Sequence, residues 1–196
     1  MNEVRKVSNR AIVGSKALAI ASLCMAAAFL AAPAAADAQR GVGAAAPDFG
    51  LPAIEGPPVQ LSQLRGRVVV IHFAATWCPF CNAELPHLVA LDQAYKGRGV
   101  QVVLVDIKES KRVVGRWVSK GGVTFPVLLD GDGTVATRYA PKDAQPDLGR
   151  DEAMVAANLV IDKEGRIRFF SLLDTAQFDA RLIGLRAVLD DLLAGR

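Results

Sequence analysis

The chain has 196 residues, 52% of them hydrophobic and 22% charged, enough for one domain with a substantial core. Its formal net charge is +3, but residues 39–196 alone carry only +1. No block of lysine and arginine and no basic stripe interleaved with aromatics is present, which argues against a nucleic-acid partner.

The excess charge sits at the N-terminus, where Arg5, Lys6, Arg10 and Lys16 precede an apolar run over residues 17–32 broken only by Ser22. Ala34-Ala35-Ala36 or Ala36-Asp37-Ala38 then offers small residues for cleavage, so residues 1–38 read as a secretory signal peptide. Export to the periplasm follows. The alternative is an uncleaved N-terminal membrane anchor, but the run is alanine-rich and weakly hydrophobic, which favours cleavage. Cys24 lies inside this segment behind Leu23, where a lipidation signal wants a small residue, and reads as filler.

Residues 39–46, small from Gly41 onward, read as a linker, leaving residues 47–196 as the folded domain. Around the Gly56-Pro57-Pro58 turn, residues 47–51 and 59–61 predict a short N-terminal β-hairpin. Ser62 is placed to cap a brief helical turn ending at Gly66. Residues 68–73 predict a buried strand, and residues 78–96 a long helix containing Pro86 and ended by Gly97 and Gly99. A β-branched strand over residues 100–107 follows, then a helix over 112–120, a strand over 125–130 and a short helix over 135–139. After a polar loop over residues 141–151, strands 158–162 and 166–172 flank the Lys163-Glu164-Gly165 turn. Phe178, Leu182, Leu185, Leu189 and Leu192 predict one face of a C-terminal helix. Alternating strands and helices closed by a hairpin and a helix predict an α/β/α domain with a mixed sheet.

The chemistry concentrates in Trp77-Cys78-Pro79-Phe80-Cys81, at the junction of the first core strand and the long helix. The first thiol falls at a helix N-terminus, where unpaired N–H groups and the macrodipole favour a thiolate. The second lies about one turn further on, within reach of a disulfide. A tetrahedral zinc site would need four ligands, and once residues 1–38 are removed only these two cysteines remain. The pair therefore reads as a redox couple, with no metal and no cofactor. His87 has no partner at metal-ligand spacing and reads as structural or surface.

Several segments together resemble thioredoxin-fold proteins of the periplasmic TlpA/ResA type, within the AhpC/TSA–redoxin superfamily. They are Ala46-Pro47-Asp48-Phe49, Leu61-Ser62-Gln63-Leu64-Arg65-Gly66, the block from Ala75 to Pro86, Thr124-Phe125-Pro126-Val127-Leu128-Leu129-Asp130 and Leu159-Val160-Ile161-Asp162-Lys163-Glu164-Gly165. The resemblance implies a thioredoxin-like α/β/α sandwich with an N-terminal hairpin extension. It also implies thiol–disulfide oxidoreductase activity, with Cys78 the exposed nucleophile, Cys81 the resolving thiol and Glu84 tuning the proton chemistry of the dithiol. Read without the resemblance, Glu84 is a solvated helix carboxylate.

Two departures stand out. The fold family places a cis-proline before the terminal hairpin, and the matching residue here is Ala156 in Met154-Val155-Ala156-Ala157. A trans peptide and a freed backbone N–H are expected there, with Val155 and Ala156 on the rim of the dithiol. His72, six residues before Cys78, replaces the acid or amide of related proteins. It reads either as a proton relay beneath Cys81 or as a core histidine bonded to backbone.

Trp77, Pro79 and Phe80 form an apolar rim suited to a protein segment, so the expected partners are exported protein disulfides or dithiols. A membrane or periplasmic electron donor is needed for repeated turnover. Two other activities compete. Peroxiredoxins share the fold, but the threonine or serine and the proline of their signature are replaced by Ala75 and Ile71. A copper chaperone would hold Cu(I) on the two thiolates with Met154, yet no histidine follows His87.

Overall fold

In chain order the elements are β1 (Gly50–Leu51), β2 (Val59–Gln60), β3 (Val68–Ala74), α1 (Pro79–Tyr95), β4 (Val100–Ile107), α2 (Lys111–Lys120), β5 (Val127–Asp130), α3 (Thr134–Tyr139), β6 (Asn158–Ile161), β7 (Ile167–Ser171) and α4 (Ile183–Leu193). They come from a computed structural model that describes residues 41–142, 144 and 147–195. The expected signal peptide and Cys24 lie outside the described residues.

Five strands form one mixed sheet in the order β5-β4-β3-β6-β7. β3, β4 and β5 run parallel, joined through α1 and α2, whereas β6 is antiparallel to β3 and to β7. All seven residues of β3 are buried, as a central strand covered on both faces requires. Its alternation separates two layers. The His72 side chain meets Glu84 of α1, while the ring of the next residue, Phe73, meets Tyr139 of α3 at 5.5 Å between centroids. Trp117 of α2 donates to Asn82 of α1, and Tyr95 of α1 donates to Asp190 of α4. Hence α1, α2 and α4 share one face and α3 lies on the other, the predicted sandwich.

β1 and β2 pair as the expected hairpin. The turn after β2 is a 3-10 segment, Leu61–Leu64, which Ser62 does not cap; instead the Ser62 N–H donates to the Asp48 carboxylate at 2.9 Å.

Two sequence expectations need correction. Residues 43–46, read as part of a linker, are tied to the domain. Gly43 N–H donates to Ile167 O at 2.7 Å and Ala46 N–H to Gly165 O at 3.0 Å. Small side chains let this segment lie close along the β7 edge, and a run of small residues reads equally well as a linker. The C-terminal helix starts at Ile183, after Leu182 in the left-handed region at φ 57°. Phe178 and Leu182 therefore precede it. Asp179 accepts from the Gly184 N–H at 2.9 Å and so satisfies an early helix donor.

Candidate active site

β3 delivers the chain to the head of α1, and Cys78 caps that helix in an extended conformation. Pro79 follows at the first helical position, where a missing N–H costs nothing. The Cys78 Sγ accepts from the Cys81 N–H at 3.3 Å. Asn82 fastens this turn by donating to the carbonyls of Cys78 at 2.7 Å and Thr76 at 3.0 Å. The Thr76 hydroxyl donates to Glu109 at 2.7 Å, and the same carboxylate takes the Thr76 N–H.

Both cysteines are free thiols, and both are buried. The expectation of an exposed nucleophile is corrected: Cys78 is 2% exposed, whereas the neighbouring Trp77 is 67% exposed. Capping geometry turns the sulfur inward over the first turn, toward a cavity of about 290 Å³. Trp77, Pro79, Phe80 and Val155 border that cavity with Cys78, as expected, and Leu148, Glu152, Ala153 and Leu173 complete it. The last four were not foreseen, because they come from the loop before β6 and the segment after β7.

The two thiols are electrostatically unequal. A hydrogen bond from the Cys81 thiol pulls the Cys78 thiol below its ordinary range against the opposing effect of burial, and the Cys81 and Phe80 N–H groups add to the fall. Cys81 is pushed strongly up, by donating to Cys78 and then by burial. Such an asymmetry suits a pair in which one thiol attacks and the other resolves.

Beneath the pair lies a polar cluster. Glu84 sits one turn after Cys81 and is 2% exposed, which corrects the reading of a solvated helix carboxylate. Burial pushes its carboxyl up to about 8; the Asn158 hydrogen bond opposes this, while the charges of Cys78 and Asp179 add to it. Asn158 Nδ2 donates to Glu84 Oε1 at 2.8 Å. His72 Nδ1 is 2.9 Å from Asn158 Oδ1 and 3.6 Å from Glu84 Oε2. Burial holds the His72 imidazole down at about 4, against the Asn158 bond. The ring is therefore neutral and side-chain-bonded, and the backbone partner expected for a core histidine is absent among the described residues. Asn158 escaped sequence analysis. The only signal was its place opposite His72 in the β3–β6 register, which a single sequence does not display.

A second cavity, also about 290 Å³, is lined by Glu84, Ala156 and Asn158 with Asp174, Gln177 and Asp179. Ala156 thus borders the carboxyl and not the cavity of Cys78. No cis peptide bond occurs among the described residues, as expected at this position. The expected free N–H is corrected: Ala156 N–H donates to Phe73 O at 2.9 Å. Ala156 adopts φ 65°, a left-handed conformation unusual for a residue with a Cβ.

No group of His, Cys, Asp and Glu that could hold a metal ion occurs among the described residues. No described helix is long and apolar enough to cross a membrane. A further buried carboxyl, Asp106 on β4, lies beside Glu109. Burial, with the charge of Glu109, pushes it up to about 8.

Residues 42–170 match the AhpC/TSA family. The thiol–disulfide oxidoreductase ResA of Geobacillus kaustophilus is 32% identical over 127 residues, covering 65% of this chain and 67% of the relative. ResA of Bacillus subtilis is 33% identical over 125 residues, covering 64% of each. Among solved structures, a secreted Mycobacterium tuberculosis disulfide oxidoreductase homologous to Escherichia coli DsbE superposes with a TM-score of 0.56 at 25% identity. That match covers 76% of this chain and 96% of the other. The chain belongs to the AhpC/TSA family, as a thiol–disulfide oxidoreductase of the ResA type.

Proposed function

We propose that the protein is exported, loses residues 1–38, and reduces disulfide bonds of exported proteins through Cys78 and Cys81. The observation that carries this reading is the Cys78 sulfur, held at the N-terminus of α1 and opening on an apolar cavity while its partner lies fully buried.

The Cys78 thiolate attacks one sulfur of a client disulfide. That S–S bond breaks, a Cys78–client disulfide forms, and the displaced thiolate takes up a proton. Cys81 then gives up its proton and attacks the Cys78 sulfur, closing the Cys78–Cys81 disulfide and releasing the second client thiol. The client gains two electrons and the protein loses two. A thiol held as far up as Cys81 needs a nearby acceptor for its proton. Glu84, one turn away, holds its own proton while Cys78 is a thiolate; the mixed disulfide removes that charge, so the carboxyl releases its proton more readily and can then take the one from Cys81. A membrane or periplasmic dithiol donor resets the pair.

Trp77, Pro79, Phe80 and Val155 offer the client an apolar bed, and Glu152 is the one charged side chain among those lining it. Peroxide reduction has less support, since Ala75 offers no hydroxyl beside Cys78. Copper binding has no support from Met154, which is buried and borders neither cavity.

The test is a Cys81→Ser variant incubated with an oxidised protein substrate. A stable Cys78–client adduct seen by mass spectrometry is expected. Failure of the native protein to reduce the substrate, with no adduct in the variant, would overturn the reading.

A further inference from the structure

The contacts of Asn158 define more than a packed polar residue. The β3–β6 pairing sets Asn158 directly opposite His72, so the two side chains stand together on the face that α1 covers. Glu84 reaches the same point from α1. The Asn158 amide has its two ends on different partners. Its NH₂ group donates to Glu84 Oε1 at 2.8 Å, which leaves its oxygen facing His72 Nδ1, 2.9 Å away. An amide oxygen can only accept, so Nδ1 carries the imidazole proton and Nε2 is bare. Nε2 is buried and has no hydrogen-bond partner.

The same geometry distinguishes the carboxyl oxygens. Oε1 receives the Asn158 N–H, while Oε2 is buried and has no hydrogen-bond partner. A proton on Oε1 would compete with that N–H for the oxygen, whereas Oε2 is unoccupied. We propose that Asn158 is a positioning residue that fixes the transferable proton of this dithiol site on Glu84 Oε2 and locks His72 as its neutral anchor. This rests on the exchange function proposed above and names how its proton is held.

His72 is thereby removed from the relay role expected from its position. Its proton is committed to Asn158, and its free lone pair sits on the other ring nitrogen. The titratable and charged groups facing Glu84 are Cys78 and Cys81 from α1, His72 from β3 and Asp179 from the segment before α4. Glu84 also borders the cavity that Asp174 and Asp179 line, which gives the proton a polar exit separate from the apolar cavity of Cys78.

The experiment uses the reduced protein with ¹³C-labelled glutamate carboxyls and ¹⁵N-labelled imidazoles, followed by NMR across pH beside the Cys78 alkylation rate. In the native protein the His72 shifts should report the Nδ1–H tautomer and no charge at neutral pH. The Glu84 carboxyl should titrate near 8. Asn158→Leu removes one hydrogen bond to the anion, so that titration should rise by about one pH unit, with the matching inflection in Cys78 alkylation. An Nε2–H tautomer or an imidazolium in the native protein would overturn the proposal, and so would an unmoved Glu84 titration in the variant. If Asn158→Leu does not fold, the native tautomer alone decides. Neither NMR readout requires a client. A native protein that shows both signatures but reduces no protein disulfide overturns the exchange reading alone; one that reduces clients with the wrong tautomer overturns the positioning role alone.

Discussion

Two cavities of equal volume border the site and differ in character. The one at Cys78 is walled mainly by apolar groups, Trp77, Pro79, Phe80 and Val155; the one at Glu84 mixes Asn158, Asp174, Gln177 and Asp179 with the apolar Phe169, Phe178, Leu182 and Leu185. Of the residues lining them only Leu173 is shared, and Phe80 closes on Phe178 edge to face at 4.9 Å. The difference teaches how one dithiol separates two tasks. Sulfur exchange needs a dry surface where a client disulfide can approach and thiolate charge is poorly screened. Proton transfer needs polar groups and a way out to water. On the proposed mechanism, putting each on its own side would keep the client from displacing the proton machinery.

The largest effect should come from the sulfur on the dry side. Cys78→Ser should abolish reduction of a protein disulfide in a turnover assay while leaving the fold intact. Residual turnover carried by Cys81 would reverse the assigned roles.

Next is Ala156, on the polar side. Proline fixes φ near −65° and lacks the N–H that here reaches Phe73 O, while the native φ is 65°. Ala156→Pro should therefore destabilise the protein by about 3 kcal/mol or more in denaturant unfolding, and not restore a familiar rim. Ala156→Gly should preserve both the fold and the N–H contact. A proline variant of native stability would contradict the backbone described here.

The polar side also predicts a stability slope. Glu84 rises from 4.5 to about 8 on folding, so the folded state binds a proton that the unfolded chain has lost. Stability contributed by this group is complete below 4.5 and falls as pH rises toward 8. Asp106 behaves likewise between 3.8 and about 8. Glu84→Gln should remove one proton from the slope, up to about 1.4 kcal/mol per pH unit, and slow resolution by Cys81. An unchanged slope would show that the carboxyl is not buried as described.

His72 has the opposite sign. Its folded value, about 4, lies below the ordinary 6.5, so stability is present above 6.5 and is lost as pH falls toward 4. His72→Asn should flatten that acid limb in unfolding experiments and leave the exchange profile near neutral pH unshifted. A shifted neutral profile would return the imidazole to the relay.

The smallest effect on stability belongs to Trp77. At 67% exposure, its replacement by alanine should change unfolding free energy by no more than about 0.5 kcal/mol. The KM for a protein client should nevertheless rise several-fold. An unchanged KM would mean that the apolar side does not seat the client.

How much of this was legible follows the same division. The dry side is mostly local: Trp77 to Cys81 lie together in sequence, and the helix N-terminus and the paired thiols can be read from their spacing. β3, β4 and α1 were legible too, because long buried runs and a helix ended by glycines leave few alternatives. The polar side is assembled from distance. Asn158 meets Glu84 only through the antiparallel register of β3 and β6, and Asp179 faces it because Leu182, at positive φ, delays the start of α4. Hydrophobic periodicity placed Phe178 in that helix, since a residue packed on Phe80 from a loop carries the same apolar signature. The fixed bond of the Ala156 N–H and the burial of Cys78 likewise depend on contacts that no local pattern records.

Limited alkylation reads the inequality of the two thiols without a client or a donor. The reduced protein is treated with substoichiometric iodoacetamide at pH values from about 5 to 9, and the label is mapped by peptide mass spectrometry. Cys78 should take the label throughout, with its rate already rising below the ordinary thiol range, while Cys81 stays unlabelled. Preferential labelling of Cys81, or a Cys78 rate that rises only above the ordinary thiol pKa, would contradict that inequality.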